Sequence, residues 1–302
     1  MSDLKLNREL AFAYGEPAEL SPLIRRVVAR NPSAFTLHGT GTYIIGRGQV
    51  AVIDPGPDDA AHIEALINAV RGESVSRIVI THTHRDHSPA AAALQAATGA
   101  PTYGFGPHGS GRPDAEGQGE DVEEGGDMAF RPDQRIGDGD VIAGAGWTLE
   151  AVYTPGHTSN HLCFALKEEE TLFPGDHVMG WSTTIVSPPD GDMRRYMESL
   201  EKLTRRQEKR YWPTHGPAID HPVAHVEALI RHRQGREAQI MACLADGIAT
   251  IPEMVERIYV EVPRHLHPAA QRSVLAHLIH MVESGRVATE GKPRSASRYR
   301  KP

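Results

Sequence analysis

Cysteine is nearly absent from the 302-residue sequence. Its two thiols, Cys163 and Cys243, lie far apart and each has apolar neighbours. A disulfide framework is thereby excluded as the basis of the fold, and both are expected as small buried hydrophobes. Long hydrophobic runs are missing too. Ile78-Val79-Ile80 is typical of the apolar stretches, whereas a bilayer-spanning helix needs roughly 20 residues. The opening MSDLKLNRELAFAYGE breaks its apolar stretches with charges and lacks the apolar core of about 7–15 residues that marks a secretory signal; a cytoplasmic location is the expectation. There is no internal repeat and no surplus of positive charge. Lys and Arg number 32 against 39 Asp and Glu, a formal charge of −7.

At about 100–200 residues per domain, the length fits two domains. Hydrophobic residues at 39% and charged residues at 24% are the balance of a folded globular chain. Tyr43–Ile45 and Val50–Ile53 read as strands, the second stopped by Asp54-Pro55-Gly56-Pro57. Ile63, Leu66, Ile67 and Val70 recur at helical spacing and predict an amphipathic helix over 58–70. A buried strand at 77–80 and an alanine-rich helix at 89–97 follow. Gly106–Arg135, containing Glu120-Asp121-Val122-Glu123-Glu124, reads as an acidic surface loop or flap. Strands resume over 147–154, 161–166 and 171–174, with a helix over 193–207. This alternation predicts an α/β sandwich. Beyond Pro222, helices over 224–244, 251–260 and 268–284 and a hairpin strand at 286–289 form a winged-helix pattern. The expected division is therefore 1–221, 222–290, and a basic flexible tail over 291–302 carrying Lys292, Arg294, Arg298, Arg300 and Lys301.

Histidine is abundant, with 17 residues, and it clusters. Thr81-His82-Thr83-His84-Arg85-Asp86-His87 falls in the loop after a buried strand. In extended backbone, residues i and i+2 point the same way, so His82 and His84 converge on one ion while the turn carries Asp86 and His87 toward another. Imidazole and carboxylate suit a borderline divalent cation such as zinc. Three histidines and an aspartate in six residues are hard to account for by packing, because each buried polar group needs a partner. Pro155-Gly156-His157, Pro174-Gly175-Asp176 and Thr214-His215-Gly216 each end a strand with a candidate ligand beside a glycine, where backbones approach closely.

These pieces in this order, preceded by Asp54, resemble the metallo-β-lactamase superfamily over about residues 35–220. The resemblance implies a four-layer αββα sandwich with a dinuclear metal site at one edge. His82, His84 and His157 would hold one ion, Asp86, His87 and His215 the other, and Asp176 would bridge them. It also implies a metal-dependent hydrolase that uses a hydroxide held between two divalent ions, zinc first with manganese or iron as alternatives, to cleave an ester, thioester, lactone or phosphodiester bond. The candidate catalytic residues are Asp86, which would orient the hydroxide as well as bind metal, Asp54, which would fix the loop or a ligand imidazole, and His161. For His161 two readings stand open, a substrate contact and a ring packed behind the site. His84 occupies a position where flavodiiron oxygen reductases usually carry an acid, so the signature resembles the hydrolase branch. The hydroxyls of Ser182, Thr183, Thr184 and Ser187 are candidate partners for a substrate oxygen.

A subgroup of the superfamily carries a C-terminal winged helix, and the layout here is similar. Some of its members resemble single-strand endoribonucleases, so single-stranded RNA stands beside a small ester, thioester or lactone as substrate. Residues 222–290 hold seven Lys and Arg and eight Asp and Glu, a charge of −1 that gives no electrostatic footprint for a phosphate backbone. No membrane partner is expected, and a homo-oligomer is compatible with the sequence. A different class of reading is a non-catalytic metal-binding or assembly protein whose winged helix mediates partner contact. His265, His267, His277 and His280 lack carboxylate or thiolate company in the sequence and are expected as surface or packing residues.

Overall fold

The computed structural model describes residues 4–112 and 125–302. Glu120–Glu124, and with it the middle of the expected flap, lies outside the described residues.

The first sheet is built from β1 (Ala18–Glu19), β2 (Ile24–Val28), β3 (Gly41–Ile45), β4 (Gln49–Ile53), β5 (Ser74–Val79), β6 (Thr102–Gly104) and β7 (Gln134–Arg135), in that spatial order. The first four run antiparallel, and β4 to β7 are parallel. Parallel neighbours need crossovers, which α1 (Ala60–Ala69) and α2 (Ala91–Thr98) supply between β4, β5 and β6. Asp59 starts α1 by accepting a hydrogen bond from the His62 amide at 2.8 Å, the ordinary duty of an N-cap carboxylate. Side chains alternate across the sheet. Ile44, Val50, Val52 and Ile78 face α1 and α2, whereas Tyr43, Ile45, Ala51, Ile53 and Val79 face the second sheet.

That second sheet has the order β12-β11-β10-β9-β8, with β8 (Val141–Gly144), β9 (Trp147–Tyr153), β10 (Leu162–Leu166), β11 (Thr171–Phe173) and β12 (Arg210–Tyr211). Leu149, Ala151, Leu162, Phe164 and Phe173 meet the first sheet. Val152, Cys163, Ala165 and Leu172 turn outward under Met193, Tyr196, Leu200 and Leu203 of α3 (Met193–Leu203). Helix, sheet, sheet and helix stack as four layers, as the resemblance implied. Two of the expected strands carry the site at their ends: β4 leads into Asp54 and β5 into Thr81.

The remainder is helical: α4 (Pro222–Ala245), α5 (Ile251–Ile258) and α6 (His267–Glu283), followed by β13 (Ala288–Thr289) paired with β14 (Tyr299–Arg300). The 24-residue α4 belongs to two cores. Its Val226 and Leu229 pack with α3, while Ile240 and Cys243 pack with Met254, Val255, Val274, Leu278 and Tyr299. The expectation of a flexible end is corrected at β14. Tyr299 is 1% exposed and its amide donates to the Ala249 carbonyl at 2.9 Å; one buried aromatic anchors a stretch whose charges alone suggested solvent. His277 and His280 likewise have the carboxylate that the linear sequence hid. Glu237 on α4 lies 3.3 and 2.9 Å from their Nδ1 atoms. Both cysteines are buried and unpaired. Among the described residues, no helix is long and apolar enough to cross a membrane.

Candidate metal centre

The site begins with a strained turn. Asp54, directly after β4, has φ +49°, a left-handed conformation that Asp tolerates better than most residues. Its buried carboxylate accepts hydrogen bonds from the Thr81 amide (2.8 Å), the Thr81 hydroxyl (2.7 Å) and the Thr214 hydroxyl (3.2 Å), and lies 2.9 Å from His87 Nδ1. One side chain thus ties together the ends of β4 and β5 and the loop that carries His215. Glycine is needed nearby. Gly156 has φ +143°, and a Cβ there would lie 2.3 Å from the Tyr196 Cα, so only glycine lets the His157 turn pass under α3.

Each of five imidazoles turns one nitrogen into a common centre. His82 Nε2 and His157 Nε2 both approach His84 Nδ1 to 3.0 Å. His215 Nε2 is 3.1 Å from Asp86 and 3.4 Å from Asp176, and His87 Nε2 is 3.5 and 3.6 Å from the same two carboxylates. The outward nitrogens of four rings are held by oxygen: His82 Nδ1 by the Thr81 hydroxyl at 3.0 Å, His87 Nδ1 by Asp54, His157 Nδ1 by the Ile185 carbonyl at 2.6 Å, and His215 Nδ1 by the Gly39 carbonyl at 3.1 Å. Such outer bonds fix ring orientation and tautomer so that the inner nitrogen offers its lone pair. The donor atoms fall into three groups within 4.8 Å: His82, His84 and His157; His82, His87 and Asp176; and Asp86, His87 and His215. The first and third coincide with the two sets that the resemblance implies, and Asp176 lies between them, 3.8 Å from His157 and 3.4 Å from His215.

The two halves place opposite demands on protons. Burial, reinforced by neighbouring imidazoles, holds His82 and His84 well below the ordinary histidine range, leaving them neutral. Burial also lowers His157, against the pull of Asp176. On the other side burial is outweighed by carboxylates. Asp86, Asp176 and Asp54 push His87 well up, and Asp176 and Asp86 raise His215 to about 10. Asp86 and Asp176 are themselves depressed, because His87 and His215 overcome the desolvation that would raise them. On the second side the carboxylates hold protons on His87 and His215, and the same negative charge would favour a divalent cation in place of those protons. His87 Nε2, His215 Nε2 and Asp176 Oδ1 are buried and near one another's charges yet make no well-directed hydrogen bond, which is costly for a folded protein unless something else coordinates them. The residues therefore fit a pair of metal ions.

Of the two readings open for His161, its surroundings are those of a ring packed behind the site and not of a substrate contact. It is fully buried, its Nε2 accepts from the Asp176 amide at 3.3 Å, its Nδ1 is 3.0 Å from the Thr154 hydroxyl, and its ring stacks on His82 at 5.1 Å. With both nitrogens engaged inside the protein, it supports Asp176 and His82 from behind. The Thr184 hydroxyl, also offered to substrate by the sequence reading, instead donates to the Asp176 carbonyl at 2.7 Å. Sequence reasoning missed three supports. Asn160 donates to the Thr83 hydroxyl at 2.9 Å and to the Gly106 carbonyl at 3.2 Å. Arg233 of α4, 4% exposed, donates to the Thr184 carbonyl and lies over the Tyr196 ring. His108, whose Nδ1 is 3.0 Å from the Thr83 hydroxyl, sits with its ring 6.3 Å from that of His84. Only the Asn160 position, inside the His157–His161 run, carried a local signal.

The sequence model of the Metallo-beta-lactamase superfamily matches residues 36–215, and that of the Beta-lactamase associated winged helix domain matches residues 250–296. The chain belongs to the metallo-beta-lactamase superfamily. This superfamily member is 33% identical over 262 residues to an atrochrysone carboxyl ACP thioesterase of Aspergillus fumigatus, covering 81% of this chain and 76% of that protein. It is 32% identical over 285 residues to a beta-lactamase-like protein 2 homolog of Caenorhabditis elegans, covering 91% and 90%. In fold it is similar to a metallo-beta-lactamase family protein from Thermus thermophilus, with a TM-score of 0.75 at 24% identity, covering 94% of this chain and 100% of that one. A beta-lactamase domain protein from Burkholderia ambifaria gives 0.76 at 21% identity, covering 98% and 97%.

Proposed function

We propose that the protein is a dinuclear metal-dependent hydrolase acting on an acyl thioester or ester. The observation that carries this reading is the convergence of His82, His84, Asp86, His87, His157, Asp176 and His215, none of the seven replaced. His82, His84 and His157 would hold one divalent ion, zinc first and manganese or iron as alternatives, and Asp86, His87 and His215 the other, with Asp176 shared; such a pair supplies Lewis acidity and lowers the pKa of water toward about 7. Asp86 is only partly buried and lines a cavity of about 610 Å³, so it is the carboxylate positioned to orient a reacting water. Asp54 acts through His87, holding its ring, and His161 acts through Asp176; both are positioning residues. The thioesterase activity named for the Aspergillus fumigatus relative supports the thioester among the bonds such a site would cleave. The −1 charge of residues 222–290 weighs against RNA.

The test is metal-reconstituted protein assayed on N-acetylcysteamine thioesters, lactones and single-stranded RNA in parallel. Thioester turnover lost in Asp86→Ala, with fold and solubility kept, is the expected result. Turnover of RNA alone would make the chain a nuclease. Full metal content without any turnover would favour a binding or assembly role.

A further inference from the structure

We infer that the cavity beside Asp86 receives the acyl portion of the substrate, that this portion carries a carboxylate bound by Arg85, and that a turn of the C-terminal domain forms one wall. The inference deepens the hydrolase reading above and rests on it. The cavity, about 610 Å³, opens between the 31–36 loop, the Arg85-Asp86 pair and the short helical turn Arg264–Leu266. That is the size of a pocket for a medium-sized organic molecule.

The loop's polar groups are spent on one another. Asn31 accepts from the Thr40 amide at 2.9 Å and donates to the Thr40 hydroxyl at 3.0 Å. The Ser33 hydroxyl oxygen accepts from the amides of Phe35 (3.0 Å) and Thr36 (3.1 Å), and the Thr36 hydroxyl donates to the Asn31 carbonyl at 2.6 Å. What remains to face a ligand is Ala34 and Phe35 from one side and Leu266 beside the His265 imidazole from the other, a largely apolar slot for carbon chain. Arg85 is different in kind. It is exposed, lines the cavity next to the metal-binding Asp86, and has no ion pair or hydrogen bond among the described residues, although acids outnumber bases in the chain. A guanidinium on the wall of a largely apolar slot, without a partner among the described residues, matches a carboxylate, which it can grip with two parallel hydrogen bonds. Because Leu266 belongs to the winged-helix region and Phe35 to the first domain, substrate length is read between the two.

A matched pair of substrates tests this: the hexanoyl and adipoyl thioesters of N-acetylcysteamine, which share six acyl carbons and differ by the terminal carboxylate. The adipoyl thioester should be preferred by at least tenfold in kcat/KM, chiefly through KM. Arg85→Met should bring the ratio close to one, Arg85→Lys should restore part of it, and Leu266→Asp should raise KM for both. Calorimetric binding of adipate and hexanoate to the metal-free protein supplies the second readout, with adipate favoured and the difference lost in Arg85→Met. Equal handling of the two thioesters by the wild type, or a ratio unmoved by Arg85→Met, overturns the assignment while leaving the hydrolase reading intact. If neither thioester is cleaved by the loaded protein, the thioester reading falls, and equal binding of adipate and hexanoate would then remove the pocket assignment as well.

Discussion

Asp54 concentrates the physics of this site in one residue. Its left-handed φ excludes a β-branched replacement without strain, and its carboxylate serves two threonines and His87. Asp54→Asn keeps a residue that tolerates the backbone but removes the charge that fixes His87. Metal affinity should fall about 10–100-fold, the usual effect of losing a partner that orients a ligand, with the fold preserved. Asp54→Ala should cost about 1–2 kcal/mol more in stability, from left-handed strain on a residue with no side-chain hydrogen bond to offset it. Chelator competition and urea unfolding separate the two effects. A second residue sets a pH limit. His62 on α1 is buried, with Nε2 3.0 Å from the Thr42 hydroxyl, and burial lowers its pKa to about 4. Between pH 6.5 and 4 the unfolded chain takes up a proton there that the folded chain refuses. Its contribution to stability is thus complete above about pH 6.5 and is lost as pH falls toward 4, by up to about 3 kcal/mol at about 1.4 kcal/mol per pH unit. Urea midpoints of metal-loaded wild type and His62→Gln, measured between about pH 7 and pH 4.5, should converge as the pH is lowered.

At the scale of elements, α4 reaches into the metal centre. Arg233 donates to the Thr184 carbonyl, the next carbonyl along, of Ile185, holds His157 Nδ1, and the Thr184 hydroxyl holds the Asp176 backbone. Arg233→Met leaves that buried carbonyl without its donor, which costs about 1–3 kcal/mol, and loosens the segment joining Asp176 to His157. The expected outcome is a lower melting temperature together with early loss of one metal equivalent in a chelator titration. Arg233→Lys should recover less than a conservative exchange suggests, since an ammonium lacks the guanidinium's reach and fork. None of this was legible in the linear pattern, because the Thr184 carbonyl that Arg233 meets lies 49 residues upstream, outside any local window. The same reason hid β2. Ile24-Arg25-Arg26-Val27-Val28 is buried throughout, yet two arginines break its apolar run. Arg25 pairs with Glu73 at 2.6 Å and Arg26 reaches the Gly216 carbonyl at 3.4 Å, partners that no local window contains. By contrast β4, α1, β5, β9 and α3 were legible within a few residues, since their apolar spacing follows the period of the element itself. The His82–His87 run was legible because its converging imidazoles and carboxylate stand within six residues, whereas the placement of His161 depended on which way a buried ring turns.

For the whole molecule, the question is whether the first domain stands without the second. The helix α4 answers it physically, because Val226 and Leu229 complete the core beneath α3 while Ile240 and Cys243 complete the other. A chain ending at residue 221 loses both Val226 and Leu229, each worth about 1.5–3 kcal/mol when buried, and it also loses the Arg233 bond to the metal-site segment. Set against total stabilities of about 5–15 kcal/mol, that loss takes most of what holds the sandwich closed. A chain ending at residue 245 keeps Val226 and Leu229 under α3, loses Ala276 of α6 from that core, and gives up chiefly the packing of the second. The 1–245 protein should therefore stay soluble and bind two metal equivalents, whereas 1–221 should aggregate or bind a hydrophobic dye and retain little metal. Thermal melts and metal analysis on the two truncations measure this directly. Equal melting temperatures would show that α4 adds nothing to the first core, and would return the boundary between the domains to the start of the helix.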